Sequence, residues 1–272
     1  MLFKYLLPAA FALAATAVFA QTPSGAATNV DAIVQRHLAA LGGLDKMRAV
    51  QSTKATGKMT MGGQQGQPIE ASITFWNKRP AFQRMEISLQ GQKITQGFDG
   101  KNGWMMNPAM GSAPQIAPAE EGKAAVANAD PDGSPLADYK TKGNHVQLLG
   151  KKDVNGTVAY ELQVTLRSGS TSLLFLDEKT FLPLKTSVVR QQPGQAQPLT
   201  VETYSSDYRP VNGVMMPFVT ETRVGGRTMA RTVMEKIEAN VVTDDALFAV
   251  PAPIPTPRPM PVPVTKPPAA KQ

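Results

Sequence analysis

From Ser52 to about residue 239 the chain alternates apolar and polar positions with a period of two, broken at short intervals by turn residues. Met59 and Met61 alternate with Lys58 and Thr60, and Ile69, Ala71, Ile73 and Phe75 with Glu70, Ser72, Thr74 and Trp76. Met85, Ile87 and Leu89 oppose Arg84, Glu86 and Ser88. The longest run sets Val158, Tyr160, Leu162, Val164 and Leu166 against Ala159, Glu161, Gln163, Thr165 and Arg167. Further runs lie near 145–151, 171–177, 182–190, 199–206, 212–224 and 227–239. This period sends successive side chains to opposite faces, which is the mark of a half-buried strand. Gly62-Gly63, Gln90-Gly91, Asp99-Gly100, Asn155-Gly156, Asn212-Gly213 and Gly225-Gly226 supply hairpin turns between the runs. About ten strands in such a succession predict an up-and-down antiparallel sheet, long enough that it must curl to bury its apolar face. Met229, Val233, Met234 and Ile237 would also fit a helical stripe; the Gly225-Gly226 turn ahead of them favours a strand.

The period is helical before Ser52. Ile33, Val34, His37, Leu38 and Leu41 share one face of a helix predicted over Val30–Leu41, which Gly42-Gly43 stops. A second short helix is expected over Leu44–Val50. The strand rhythm also lapses from Asn107 to about Lys140, where Ala, Pro and Gly dominate and a helix is expected over Pro118–Ala129. A connection of this length in a meander tends to carry function, and here it is placed to fold over the open face of the sheet.

The two ends differ from this body. Lys4 precedes an uncharged apolar run from Tyr5 to Phe19, and Val18-Phe19-Ala20 offers small residues for cleavage before Gln21, so residues 1–20 read as a secretory signal. The run is too short for a comfortable membrane span. Pro251–Gln272 holds nine prolines, seven of them at alternate positions from Pro251 to Pro263, and is expected to extend as a polyproline-type arm. The expected organisation is thus signal 1–20, one folded domain 21–250 and tail 251–272, in a periplasmic protein.

Composition narrows the chemistry. The chain has no cysteine, which excludes disulfides, thiolate metal sites, cysteine nucleophiles and anchoring through a thioether. Of the formal charge of +7, Lys4 lies in the signal and Arg258, Lys266 and Lys271 in the tail, leaving +3 on the body. No basic cluster is interleaved with aromatics as nucleic-acid binding would need. Only His37 and His145 are present, neither in a metal-ligand spacing nor beside a serine motif, and His37 reads as a core histidine of the first helix. Asp130-Pro131-Asp132-Gly133-Ser134 faintly resembles a calcium loop, but its glycine is misplaced and no Glu closes the frame, so it reads as a solvated turn. Glu120-Glu121 and Asp244-Asp245 read as solvated surface. Neither catalysis nor a cofactor is expected. Thirteen methionines, most of them in or beside the strands, offer a soft, adaptable apolar surface instead.

Phe75-Trp76-Asn77-Lys78-Arg79-Pro80, followed by a strand, Phe98-Asp99-Gly100-Lys101-Asn102-Gly103-Trp104 and then Asn107-Pro108, resembles the LolA-like periplasmic carriers of outer-membrane lipoproteins in order and spacing. The leading helix with its glycine pair, Asn212-Gly213-Val214 before Pro217, and Asp244-Asp245-Ala246-Leu247-Phe248 are similar in kind. The resemblance implies a mainly β fold, an unclosed antiparallel β-barrel covered by helices, with a cavity that accepts acyl chains. It implies that Arg79 takes the place of the arginine that latches the lid. The proline tail and the long 107–140 segment depart from that pattern. The resulting expectation is a monomeric, non-enzymatic carrier holding a lipid or lipoprotein acyl chain, served by membrane-bound donor and acceptor proteins. Its expected lining is Met59, Met61, Ile73, Phe75, Met85, Ile87, Leu89 and Trp104, although alternation alone does not say which face is the cavity. The alternative is an envelope stress sensor or scaffold that uses the same fold to bind a protein partner.

Overall fold

The computed structural model describes residues 29–62, 67–111, 113–128, 130, 132–191 and 197–253. The predicted signal and the tail beyond Pro253 lie outside the described residues.

Helix α1 (Val30–Ala40) starts where the Asn29 side chain accepts a hydrogen bond from the Asp31 N–H, which satisfies one of the free donors of the first turn. It ends at Gly42, whose φ of +113° suits only glycine and whose Hα faces the Gly213 carbonyl so closely that a Cβ would lie 2.1 Å from that oxygen. Beside this contact the Leu41 carbonyl accepts from the Met215 N–H, so the helix end is stitched to the sheet. Helix α2 (Leu44–Ala49) follows directly.

Among the described residues thirteen strands then form one sheet. They are β1 (Ser52–Gly62), β2 (Pro68–Lys78), β3 (Phe82–Leu89), β4 (Gln92–Phe98), β5 (Gly103–Met106), β6 (Gln115–Ile116), β7 (His145–Val154), β8 (Thr157–Thr165), β9 (Thr171–Asp177), β10 (Pro183–Arg190), β11 (Leu199–Val211), β12 (Val214–Val224) and β13 (Arg227–Ala239). Helix α3 (Ala119–Asn128) lies between β6 and β7. The strand order is β6-β5-β4-β3-β2-β1-β13-β12-β11-β10-β9-β8-β7, every pair is antiparallel, and the two ends, β6 and β7, do not pair with each other. The fold is therefore mainly β, an unclosed antiparallel sheet with few helices, and residues 229–237 are strand.

Register assigns the two faces. Ala55, Phe75 and Met85 stand opposite one another across β1, β2 and β3, as do Gly57, Ile73 and Ile87. At the other end Leu148, Leu162 and Leu174 align across β7, β8 and β9. Both rows belong to the inner face, which is buried in two places. Ile33, Val34 and Leu38 of α1 pack on Leu162, Val164, Leu176 and Val214. Met59, Ala71, Ile73, Met85, Ile87, Ile94 and Ala230 form a second cluster. Each large aliphatic side chain so buried contributes about 1.5–3 kcal/mol. His37 is buried beside the first cluster, and its Nδ1 lies 2.8 Å from the Phe181 carbonyl, which can only accept, so Nδ1 carries the proton. Burial pushes the His37 pKa down, against a smaller upward effect of that hydrogen bond.

Candidate functional site

Where the two packed clusters approach each other on the inner face, a cavity of about 850 Å³ opens, bordered by members of both. Phe75, Met85 and Phe98 line it from one half of the sheet; Val188, Val214 and Met216 line it from the other. For residues of β2 and β10 to line one cavity, the sheet must curl upon itself. Thr186, Ser170, Ser172, Asn77, Gln83 and Gln96 add polar patches to this wall.

The roof comes from α2 and from the segment that interrupts the strand rhythm. Met47 of α2, Val50 just after it, Ala125 of α3, and Asp130, Asp132, Gly133 and Pro135 all line the cavity. Arg79, in the β2–β3 turn, holds the first of these pieces. Its Nε donates to the Val50 carbonyl and one Nη to the Met47 carbonyl, each at 2.8 Å, which satisfies carbonyls at the C-terminal end of α2. The same guanidinium abuts Gly133, where a Cβ would lie 2.9 Å from Nη2 and where φ is +72°. Glycine is needed there twice over, for the backbone angle and for the close approach.

A charge network binds the second piece to the first. Arg48 of α2 donates to Asp132 at 2.7 Å and to Asp138 at 2.6 Å. Lys142 bridges Asp130 and Asp132, at 2.7 Å from each. Hydrogen bonds from Arg48 and Lys142 hold the Asp132 carboxyl down at about 2. Asp130 and Asp132 are therefore not a solvated turn: their side chains are only 15% and 14% exposed, and they are spent on roof contacts. Among the described residues no group of three or more His, Asp or Glu is placed to hold a metal ion.

The sequence-predicted lining residues fall into three sets. Phe75 and Met85 line the cavity. Met59, Met61, Ile73, Ile87 and Leu89 share their face but lie in the adjoining packed cluster. Trp104 sits on the other face: it pairs with Gly97, whereas Gln96 and Phe98 of the same strand point inward. Its indole N–H donates to the Phe248 carbonyl at 2.8 Å, and Arg84 lies 5.5 Å from its ring. Sequence reasoning missed Met47, Val50, Phe98, Val188, Val214 and Met216. The alternation at 182–190 and 212–224 held that signal for the last three, but it does not say which strands meet across a curl.

Of the remaining acidic pairs, Glu120 is on the surface beside Lys123. Asp245 pairs with Lys78 at 2.5 Å, and the Asp244 side chain caps a short 3₁₀ turn, Asp245–Leu247. These contacts fasten the segment after β13 to the outer face near Trp104.

The unclosed antiparallel sheet with few helices is the fold class expected from the sequence, and the arginine in its β2–β3 turn holds the end of α2. A solved DUF1329 family protein from Desulfovibrio piger is similar, with a TM-score of 0.52 at 14% identity over 81% of this chain and 97% of that one. At such identity the likeness is one of fold. A putative outer membrane lipoprotein-sorting protein domain from Vibrio parahaemolyticus gives a TM-score of 0.49 at 12% identity over 80% of this chain and 94% of its own. A LolA superfamily protein from Nitrosomonas europaea gives 0.48 at 17% identity over 76% and 95%. No family model and no curated protein matches the sequence.

Proposed function

We propose that the protein is a periplasmic, non-enzymatic carrier or binding protein that holds a lipid or lipoprotein acyl chain in this cavity. The observation that carries the reading is the cavity itself. Its apolar wall is made by two halves of one sheet, it is roofed by α2, by Ala125 of α3 and by residues 132–135, and its size falls within the about 300–1,000 Å³ of small-molecule sites. Each methylene moved from water into such a site gains about 0.8 kcal/mol, so part of one acyl chain gives useful affinity without covalent chemistry. Transfer to an acceptor then follows from a difference in burial between the two proteins. The leader-like residues 1–20 support the compartment. Arg79 serves as the latch, because its donors grip carbonyls of the roof that an entering chain must displace.

The test is to purify the protein without detergent, extract it with organic solvent and weigh the extract by mass spectrometry, with Arg79→Leu in parallel. Near-stoichiometric lipid, with altered occupancy in the variant, is the expected result. A folded but empty protein would move the reading to an envelope sensor or scaffold that binds a protein partner.

A further inference from the structure

Past the wall of the cavity, β10 carries one more inward position. Val188 lines the cavity and Val189 is 56% exposed on the other face, so strand parity turns Arg190 inward, about 7 Å further along the strand. Leu173 stands opposite Ser187 across β9 and β10, which brings Ser172, another lining residue, level with Val188. Helix α3 covers this end. Its Ala125 lines the cavity, and Glu121, one turn earlier on the same helix face, acts on Arg190 through its charge.

Arg190 reaches this place without a bond. Its Nε is shut off from solvent and has no hydrogen-bond partner, although the residue as a whole is only half-buried. Among the described residues Glu121 is the one acid that acts on it, and it does so through space, with no ion pair formed. No other carboxylate side chain is held in reserve elsewhere in the chain: all 21 Asp and Glu lie within the described residues. Burial has the larger effect on the guanidinium and pushes its pKa down, and Glu121 offsets that only in part. The cations that line the cavity are spent on the fold: Lys78 on Asp245, Arg79 on the end of α2, and Arg84 on Glu86 and the Leu247 carbonyl. A buried guanidinium with donors to spare is costly unless an anion meets it. Carboxylates and phosphates match its planar fork through paired, charge-assisted hydrogen bonds.

We propose that Arg190 is an oxyanion-binding position at the edge of the cavity, beneath α3, that takes the carboxylate or phosphate of a ligand, with the Ser172 hydroxyl as a neutral donor on the approach. The position stands whether or not the cavity holds an acyl chain; only the placing of a ligand's apolar part rests on the reading above. The same oxyanion chemistry could belong to a free ion or to the head group of an amphiphile.

The test is a calorimetric titration of the purified, delipidated protein at low ionic strength and about pH 8, where carboxylates and phosphates are ionised. The probes are inorganic phosphate, decanoate, decyl phosphate and decanol, the last carrying the same chain without a charge. Decanoate, decyl phosphate or both should bind about tenfold or more tighter than decanol, as one charge-assisted hydrogen bond allows. Binding of inorganic phosphate by itself identifies a free ion as a sufficient ligand; binding of the amphiphilic anions alone identifies a head group. In Arg190→Gln the affinity for anions should fall about tenfold while that for decanol holds, and Tm should not fall, because the Arg190 Nε gives up no hydrogen bond within the fold. In Glu121→Gln, which removes the opposing carboxylate, anions should bind severalfold tighter. The second variant reads a gain of binding, so it remains informative if the first is poorly folded. Decanol binding as tightly as both amphiphilic anions with no binding of phosphate, or anion affinities unchanged in both variants, would overturn the oxyanion site while leaving an apolar cavity standing. No binding of any of the four would overturn both.

Discussion

The indole N–H of Trp104 donates to the carbonyl of Phe248, 2.8 Å away and 144 residues later in the chain. Both residues are buried, at 2% and 0% exposure, and Phe248 also packs its ring 5.5 Å from that of Phe82. The segment after β13 is thereby clamped to the face of the sheet opposite the cavity. Trp104→Phe keeps most of the packing and leaves a buried carbonyl without its donor, so a loss of about 1–3 kcal/mol in a denaturant titration is expected. Occupancy of the cavity should change less than stability, because the Trp104 indole lies on the face opposite Phe75, Met85 and Phe98, although Phe82 borders both.

Arg79→Leu is expected to act on the roof. It removes two donors from the carbonyls of Met47 and Val50, and with them the piece that ties the β2–β3 turn to α2. Hydrogen exchange in residues 47–51 should quicken by about tenfold, the equivalent of losing roughly 1.4 kcal/mol of local protection. Exchange in β8 and β9, which pack against α1, should not change.

The Asp132 contacts predict a pH dependence. The Asp132 carboxyl is held at about 2, below its ordinary value, first by the hydrogen bond from Arg48 and then by that from Lys142. A depressed folded-state pKa means that the ion pairs stabilise the roof fully above about pH 4 and lose their effect as pH falls towards 2. Limited proteolysis across that window should show cleavage in the 130–144 region rising as pH falls. Asp132→Asn should show the raised cleavage already at neutral pH and a flatter response below pH 4.

Filling the cavity should separate binding from folding. Val188 lines the space and is only partly buried, and its strand tolerates aromatic residues. Val188→Trp should reduce bound lipid severalfold while shifting stability by about 1 kcal/mol or less. Val189→Trp, on the exposed opposite face of the same strand, is the matched control and should leave occupancy intact.

Much of the sheet was legible because its strands pair with neighbours in sequence. Period-two alternation marked β2, β3 and β8, and the glycine-containing turns marked the hairpins. Strand β4 was harder to see, since Ile94, Gln96 and Phe98 carry a polar residue where the alternation needs an apolar one. That exception is Gln96, buried in the wall with its amide directed at the Met85 sulfur. Trp104 was assigned to the cavity by its motif, but strand parity puts it on the other face. The wall made by Val188, Val214 and Met216 was not legible, because two strands distant in the sheet meet only through its curvature. The Arg48–Asp132–Lys142 network was equally hidden, since its members are separated in sequence and their pairing depends on the fold.

The first strand and the last are neighbours. In β1, Thr53 pairs with Ala239 of β13, and the Ser52 hydroxyl donates to the Val241 carbonyl, 189 residues away. Every other strand pair joins consecutive elements. The chain therefore builds two meanders, β1 to β6 and β7 to β13, that can each zip up locally, and a single late seam unites them. The cavity wall draws on both. Until β13 finds β1 the cavity wall is incomplete, so the proposed ligand, spanning that wall, would act as a rivet across the most non-local joint of the molecule, and occupancy should be felt most strongly there.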